Sequence, residues 1–195
     1  MSPRRPSLSG DDGFSLVELA VYIVILGIIS TIIAATTLSL FRSESTVSGL
    51  TTSASDGQNA ATQLRSDIRN ARQFATSSDG STVTASVASR AASLAWQCVR
   101  WQVTGSGSDL ALTRSVRGDS TGQTWSTPVN LLAGIQTPAS GLQHFSGGTA
   151  SGIEGTLSYS LRINTAEDGA ITVTGEARNR AQSAVATPAT TCFTP

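Results

Sequence analysis

Lysine is absent from this chain of 195 residues: all 13 basic residues are arginine, and 13 acids balance them. The zero formal net charge leaves no electrostatic footprint for a nucleic-acid backbone and no basic face for an anionic membrane surface. Only one histidine, His144, and two cysteines, Cys98 and Cys192, occur. Two cysteines are too few for a zinc site or a disulfide-dense scaffold, but sufficient for one bridge. A single histidine and the lack of an acidic cluster argue against most metal and general-base chemistry, so no cofactor, metal or catalytic residue is expected. Charged residues make up 13% and aromatics 5%, while Ser and Thr fill 54 positions, so much of the chain is small and polar. The length fits one globular domain plus an extra segment.

That extra segment is extreme. From Leu19 to Phe41 no charged residue occurs in 23 positions. At about 1.5 Å rise per residue the run reaches roughly 35 Å as a helix, against a hydrocarbon core of about 30 Å. It exceeds a signal-peptide apolar region of about 7–15 residues, and no A-x-A-like site follows it. The apolar character runs all round the cylinder, which favours a membrane span over a core helix. Arg4 and Arg5 precede the run, and only Arg42, beside Glu44, follows it. This bias places the amino end in the cytoplasm and the remainder outside.

A carboxylate stands at the mouth of the span, in Gly13-Phe14-Ser15-Leu16-Val17-Glu18. An unpaired charge there is costly, so Glu18 calls for a neutralising partner. The stretch GFSLVELAVYIVILGIIS resembles the signal and transmembrane start of type IV prepilins and pseudopilins, over about Gly13 to Leu40. The resemblance implies that a prepilin peptidase cuts after Gly13 on the cytoplasmic side and that the new terminal residue, Phe14, is N-methylated. It also implies that Glu18 meets the terminal amine of a neighbouring subunit during filament assembly. A cationic amine and a carboxylate satisfy each other in low dielectric where neither is stable alone. The implied partners are other pilin or pseudopilin subunits, the prepilin peptidase, the assembly platform with its ATPase acting indirectly, and membrane lipid before assembly. The implied location is the bacterial inner membrane, single-pass, and then an extracytoplasmic filament or the cell surface. Two features depart from the family pattern. Asp11 and Asp12 precede Gly13, where neutral or basic residues are usual, and no proline interrupts the run. A reading from another class is a membrane-anchored extracytoplasmic binding or adhesin module, uncleaved and not polymerising, with Glu18 at the interface.

Beyond the span, Arg42 to Gly57 is rich in Ser, Thr and Gly and is a poor helix former. A helical period returns from Ala60, with Leu64, Ile68, Ala71 and Ala75 on one face. This stripe is expected to lie on a sheet and to continue the membrane helix, with a possible break near Gly49 or Gly57 and a capping box from Ser55 to Gln58. Short strands follow: Thr82–Ala88, then Ala92–Thr104 and Leu110–Val116 as a hairpin, then Leu157–Ile163 and Ala170–Arg178 as another. Gly118–Gly155 is turn-rich, with Pro128, Pro138 and several glycines, and Ser183–Pro195 reads as an irregular tail. The fold class is therefore α+β, of the type IV pilin-like plan: a long N-terminal helix packed on an antiparallel β-sheet head. The expected organisation is a leader over 1–13, a helix over 14–75 (14–41 transmembrane or filament core) and a head over 76–195. The stretch QLRSDIRNARQF followed by a Trp-bearing strand is similar to J-type minor pseudopilins and comparable minor pilins.

Cys98 and Cys192 both fall in the part placed outside the cytoplasm, where disulfides form, and a bridge is expected between them; the alternative is a buried free thiol at Cys98. Other motifs fail on context. Gly118-Asp119-Ser120-Thr121-Gly122 matches the nucleophile elbow, but no acid lies between Ser120 and the only histidine, and no helix can start cleanly into Gln123–Pro128. Arg117-Gly118-Asp119-Ser120 spells an integrin-type tripeptide on a loop, for which a turn needing Gly is sufficient explanation. Gly105 and Gly107 lack the third glycine of a dinucleotide loop. Trp96 and Trp101, on an alternating strand, read as core rather than as a ligand platform; Trp125 is the other indole able to stack on a sugar or base.

Overall fold

The computed structural model describes residues 15–88, 95–107, 109–138, 142–148, 155–165, 169–179 and 190–193. The chain divides into two compact units, Met1–Ser45 and Thr46–Pro195. Helix α1 covers Leu16–Arg69, and every described residue of the first unit is exposed. Among them are large apolar side chains such as Ile23, Leu26 and Ile32, each more than half exposed. Within α1 the threonines turn their hydroxyls back onto the helix. Thr31 donates to the Ile28 carbonyl at 2.7 Å, Thr37 to Ile33 at 2.8 Å and Thr51 to Val47 at 2.8 Å. Such back-bonding satisfies the hydroxyls without a partner outside the helix. The Ser- and Thr-rich stretch Arg42–Gly57 is helical despite its low propensity, and no break occurs near Gly49 or Gly57.

The reason at Gly57 is packing. A Cβ there would lie 2.5 Å from Ile163 Cδ1 and 3.0 Å from Val173 Cγ2, so this glycine lets the helix backbone approach the sheet. Gly57, Ala60, Ala61, Leu64 and Ile68 form the buried face of α1. The expected capping box from Ser55 to Gln58 is therefore replaced by uninterrupted helix.

α1 ends at Arg69, six residues before the expected limit at Ala75, with the Asn70 side-chain amide donating to the Ser66 carbonyl at 2.8 Å. Strand β1, Ala71–Thr76, follows at once. Ala71 and Phe74 are both buried, a spacing of three that reads as helical in the sequence. In the strand it arises from a register shift between Ala71 and Gln73 in the pairing with β2, which puts both residues on the core side.

The sheet is completed by β2 (Thr82–Ala88), β3 (Trp96–Thr104), β4 (Leu110–Gly118), β5 (Val129–Gln136), β6 (Phe145–Gly148), β7 (Thr156–Asn164) and β8 (Ala170–Arg178). All pairings are antiparallel, in the order β5-β4-β3-β2-β1-β6-β7-β8, and β5 also pairs with β7 through Ile135↔Ile163 and Gln136↔Arg162. This is an α+β arrangement, a long apolar-headed helix and an antiparallel sheet, consistent with a pilin-like fold. Both expected hairpins form, β3–β4 and β7–β8. The expected start of β3 at Ala92 lies outside the described residues, as do Glu167 and Asp168 of the second turn. The turn-rich stretch Gly118–Gly155 also holds two strands beyond those expected, β5 and β6. Gly134, at φ 70°, lies in the middle of β5, and two glycines end the four-residue β6, so neither shows a clean alternation. In the tail, Thr190–Phe193 form a short helix, α2.

The core lies on the helix side of the sheet. Val99 and Trp101 from β3, Leu112 from β4, Ile135 from β5 and Leu157, Leu161 and Ile163 from β7 close over Leu64 and Ile68. Alternation puts Trp96, Cys98 and Arg100 of β3 on the opposite face.

Candidate assembly helix and the clasped head

Glu18 lies in the first turn of α1, exposed, with the charge-free run beginning at the next residue. A carboxylate at this end complements the helix dipole, whose free N–H groups carry partial positive charge. The helix has the length and composition to cross a membrane, and no part of its most apolar stretch is buried in the molecule. An apolar surface of this extent is covered in use by lipid or by other protein. Gly13 and Phe14 lie outside the described residues.

On the head, two ion pairs that sequence reasoning missed fix the architecture. Facing the core, Asp67 of α1 accepts from the Trp101 indole N–H at 2.9 Å and from Arg114 Nε of β4 at 2.9 Å. Trp101 is fully buried, so its one polar atom is satisfied by a carboxylate that also ties helix to sheet. On the other face, the Arg72 guanidinium of β1 pairs with the Asp119 carboxylate just after β4, and Arg72 Nε donates to Ser86 Oγ at 2.9 Å. The Thr191 hydroxyl donates to the same carboxylate, and Arg117 Nη2 donates to the Thr191 carbonyl at 2.5 Å.

Beside this cluster the Sγ atoms of Cys98 and Cys192 lie 2.02 Å apart, at disulfide bonding distance. Both cysteines are buried, and Trp125 and Phe193 pack on them. α2 is thus clasped to β3 and β4 by a sulfur pair and two polar contacts. The Asp119 carboxylate and the two sulfurs lie within 4.8 Å of one another, but sulfurs at bonding distance offer no thiolate to a metal.

The clasp also decides the tempting motifs. Asp119 has a side-chain exposure of 9% and is committed to Arg72 and Thr191, so the Arg117-Gly118-Asp119 tripeptide does not present its carboxylate to a receptor. His144 is buried, and its Nδ1 faces the Ser160 carbonyl at 3.4 Å. Burial pushes its pKa down, opposed by that carbonyl contact. It sits with the sheet and not with Ser120. Trp101 is core, as its alternation indicates. Trp96 stacks under Arg72, with 4.5 Å from ring centroid to Cζ. The Trp125 ring contacts both Arg100 and Arg117, with centroid-to-Cζ distances of 4.1 Å and 4.6 Å. Burial, and secondly the Arg117 charge, lower the Arg100 pKa. The scarcity of charge signals only that a buried Arg or Asp in so neutral a head needs a counterpart; it does not say which residue that is.

The chain matches no curated protein and no solved structure to a significant degree. Residues 8–34 match the family model of the prokaryotic N-terminal methylation motif, whose families are structural and not enzymatic, so the chain begins as a type IV pilin- or pseudopilin-like precursor does.

Proposed function

We propose that the chain is a structural subunit, a minor pilin or pseudopilin, of a type IV pilus or type II secretion pseudopilus. It is made as an inner-membrane precursor with its amino end in the cytoplasm. The prepilin peptidase removes residues 1–13, Phe14 is N-methylated, and the apolar part of α1 enters the filament core. There Glu18 pairs with the terminal amine of a neighbour. The sheet and its clasped tail form the surface and the lateral contacts. Its place among such subunits is with the J-type or a comparable minor subclass. The observation that carries it is a coincidence: the methylation-motif match over residues 8–34 reaches into the exposed start of α1, where one first-turn carboxylate, Glu18, precedes the charge-free run Leu19–Phe41. No observation favours the anchored receptor, because its best recognition motif is folded into the clasp.

The mature amino terminus tests the proposal. Mass spectrometry of the chain from a peptidase-positive host is expected to find N-methylated Phe14. Replacing Gly13 by Leu is expected to leave the precursor 13 residues longer, because the peptidase needs a small residue for close backbone approach. Intact Met1 or Ser2 in the wild type rejects it.

A further inference from the structure

β8 is an edge strand: among the described residues it pairs only with β7. Long edges are ordinarily blunted by charge, proline or a bulge, because unpaired backbone templates association. β8 is nine residues long, regular in its pairing from Thr156↔Arg178 to Asn164↔Ala170, and has neither charge nor proline from Ala170 to Gly175.

The register identifies which of its backbone groups are free. Thr165 N–H donates to the Gly169 carbonyl across the turn, which sets the phase of the ladder. In that phase Ile171, Val173, Gly175 and Ala177 exchange hydrogen bonds with β7. Thr172, Thr174 and Glu176 therefore direct N–H and C=O away from it, and all three residues are exposed. A groove of about 470 Å³ runs beside this edge, between Ile171–Thr174 and the Gln58, Thr62 and Arg65 side of α1.

Arg65 supplies the chemistry. It is exposed, and neither of the head's two ion pairs among the described residues involves it. Its guanidinium lies over the Tyr159 ring at 5.4 Å and against Gly175, where a Cβ would come 2.5 Å from Nη2. The absent side chain brings to the strand edge a cation whose polar partner is the Tyr159 hydroxyl and which has no carboxylate in an ion pair among the described residues.

We propose that β8 is a docking edge that accepts an extended segment of a partner chain as a ninth strand, with an acidic side chain of that segment placed on Arg65. Backbone bonds to Thr172, Thr174 and Glu176 provide the binding, and the carboxylate sets register and choice of partner. A second β8 is the poorer occupant. Antiparallel pairing matches like faces, so its helix-side residues Ile171, Val173, Gly175 and Ala177 bring no carboxylate, and its own Arg65 arrives as a like charge.

The test uses the full chain in detergent micelles and two soluble nine-residue peptides of alternating Thr and Val, one with a central Glu and one with Gln in its place. Hydrogen exchange is expected to slow by about tenfold at the amides of Thr172, Thr174 and Glu176 with saturating Glu peptide. The Glu peptide is expected to bind about two- to fivefold more tightly than the Gln peptide, the range of one exposed ion pair. Arg65→Gln is expected to abolish that preference while leaving both peptides bound. Thr174→Pro removes an outward donor without touching the β7 ladder, and is expected to abolish binding at an unchanged melting temperature. Absence of protection with either peptide, or equal affinity for the two, overturns the proposal. So does concentration-dependent protection without peptide, which would make a second copy the occupant. Leader processing plays no part in this assay, so its failure and that of the filament reading are separately visible.

Discussion

Replacing Asp67 by Ala removes the acceptor shared by Trp101 and Arg114. The Trp101 indole N–H is then left without a partner at a position of zero exposure, a loss of about 1–3 kcal/mol. The Arg114 contact contributes less, because that side chain is 20% exposed and solvent screens it; about 0.5–1 kcal/mol is appropriate. The total is about 1.5–4 kcal/mol. For a head of this size each kcal/mol moves the midpoint by about 2–4 °C, so the expected fall is roughly 3–16 °C. Asp67→Asn retains an oxygen for the indole but not the charge, and is expected to cost about 1 kcal/mol. Arg114→Gln isolates the ion pair at about 0.5–1 kcal/mol. The assay is thermal unfolding of the full chain in detergent, followed by tryptophan near-ultraviolet dichroism. An Asp67→Ala midpoint within about 2 °C of the wild type would refute the claim that this carboxylate joins helix to sheet.

Glu18→Ala is expected to insert into membranes at least as well as the wild type but to enter filaments less efficiently, as counted by immunolabelling of sheared filaments; equal incorporation removes the charge-pair role. Loss of the Cys98–Cys192 link through Cys98→Ser is expected to destabilise the head by about 4–5 kcal/mol in the chain-entropy model, and alkylation of the folded, unreduced protein is expected to label no thiol. Gly57→Leu is expected to cost about 1–3 kcal/mol by overpacking against Ile163 and Val173, whereas Gly27→Leu, with open space around it, leaves the head's melting unchanged. Hydrogen bonds from Ser77 and then from Ser81 hold the Asp79 carboxyl at about 2, below its ordinary 3.8. The stability this contributes is present above pH 3.8 and disappears as pH falls toward 2; Ser77→Ala is expected to raise the Asp79 midpoint in a carboxyl-carbon NMR titration.

Legibility in the sequence followed the physics of each segment. β2 and β8 are legible to the residue because each is bounded by turn residues and rich in β-branched side chains. The end of α1 is not, because Ala71 and Ala75 continue the period of Leu64 and Ile68, although in β1 Ala75 is exposed and Phe74 takes the core side. β5 and β6 escape notice because glycines interrupt the one and shorten the other. The cysteine pairing is inferable from compartment alone, without geometry. The roles of Asp67 and Asp119 are not inferable, since each partner lies on a different strand and only the sheet order brings them together. The exposed apolar helix behind Glu18 is legible for the opposite reason, because its charge-free run is continuous in sequence.

With Cys98 joined to Cys192, the chain between them is a covalent ring that contains most of β3 and all of β4 to β8. A protease that cuts once within that ring releases nothing. Both pieces stay on one molecule, and the clasp keeps the tail in place while the sheet holds the cut ends near each other. A single cut thus frees no fragment, and shows itself as smaller bands only when reductant is added to the gel.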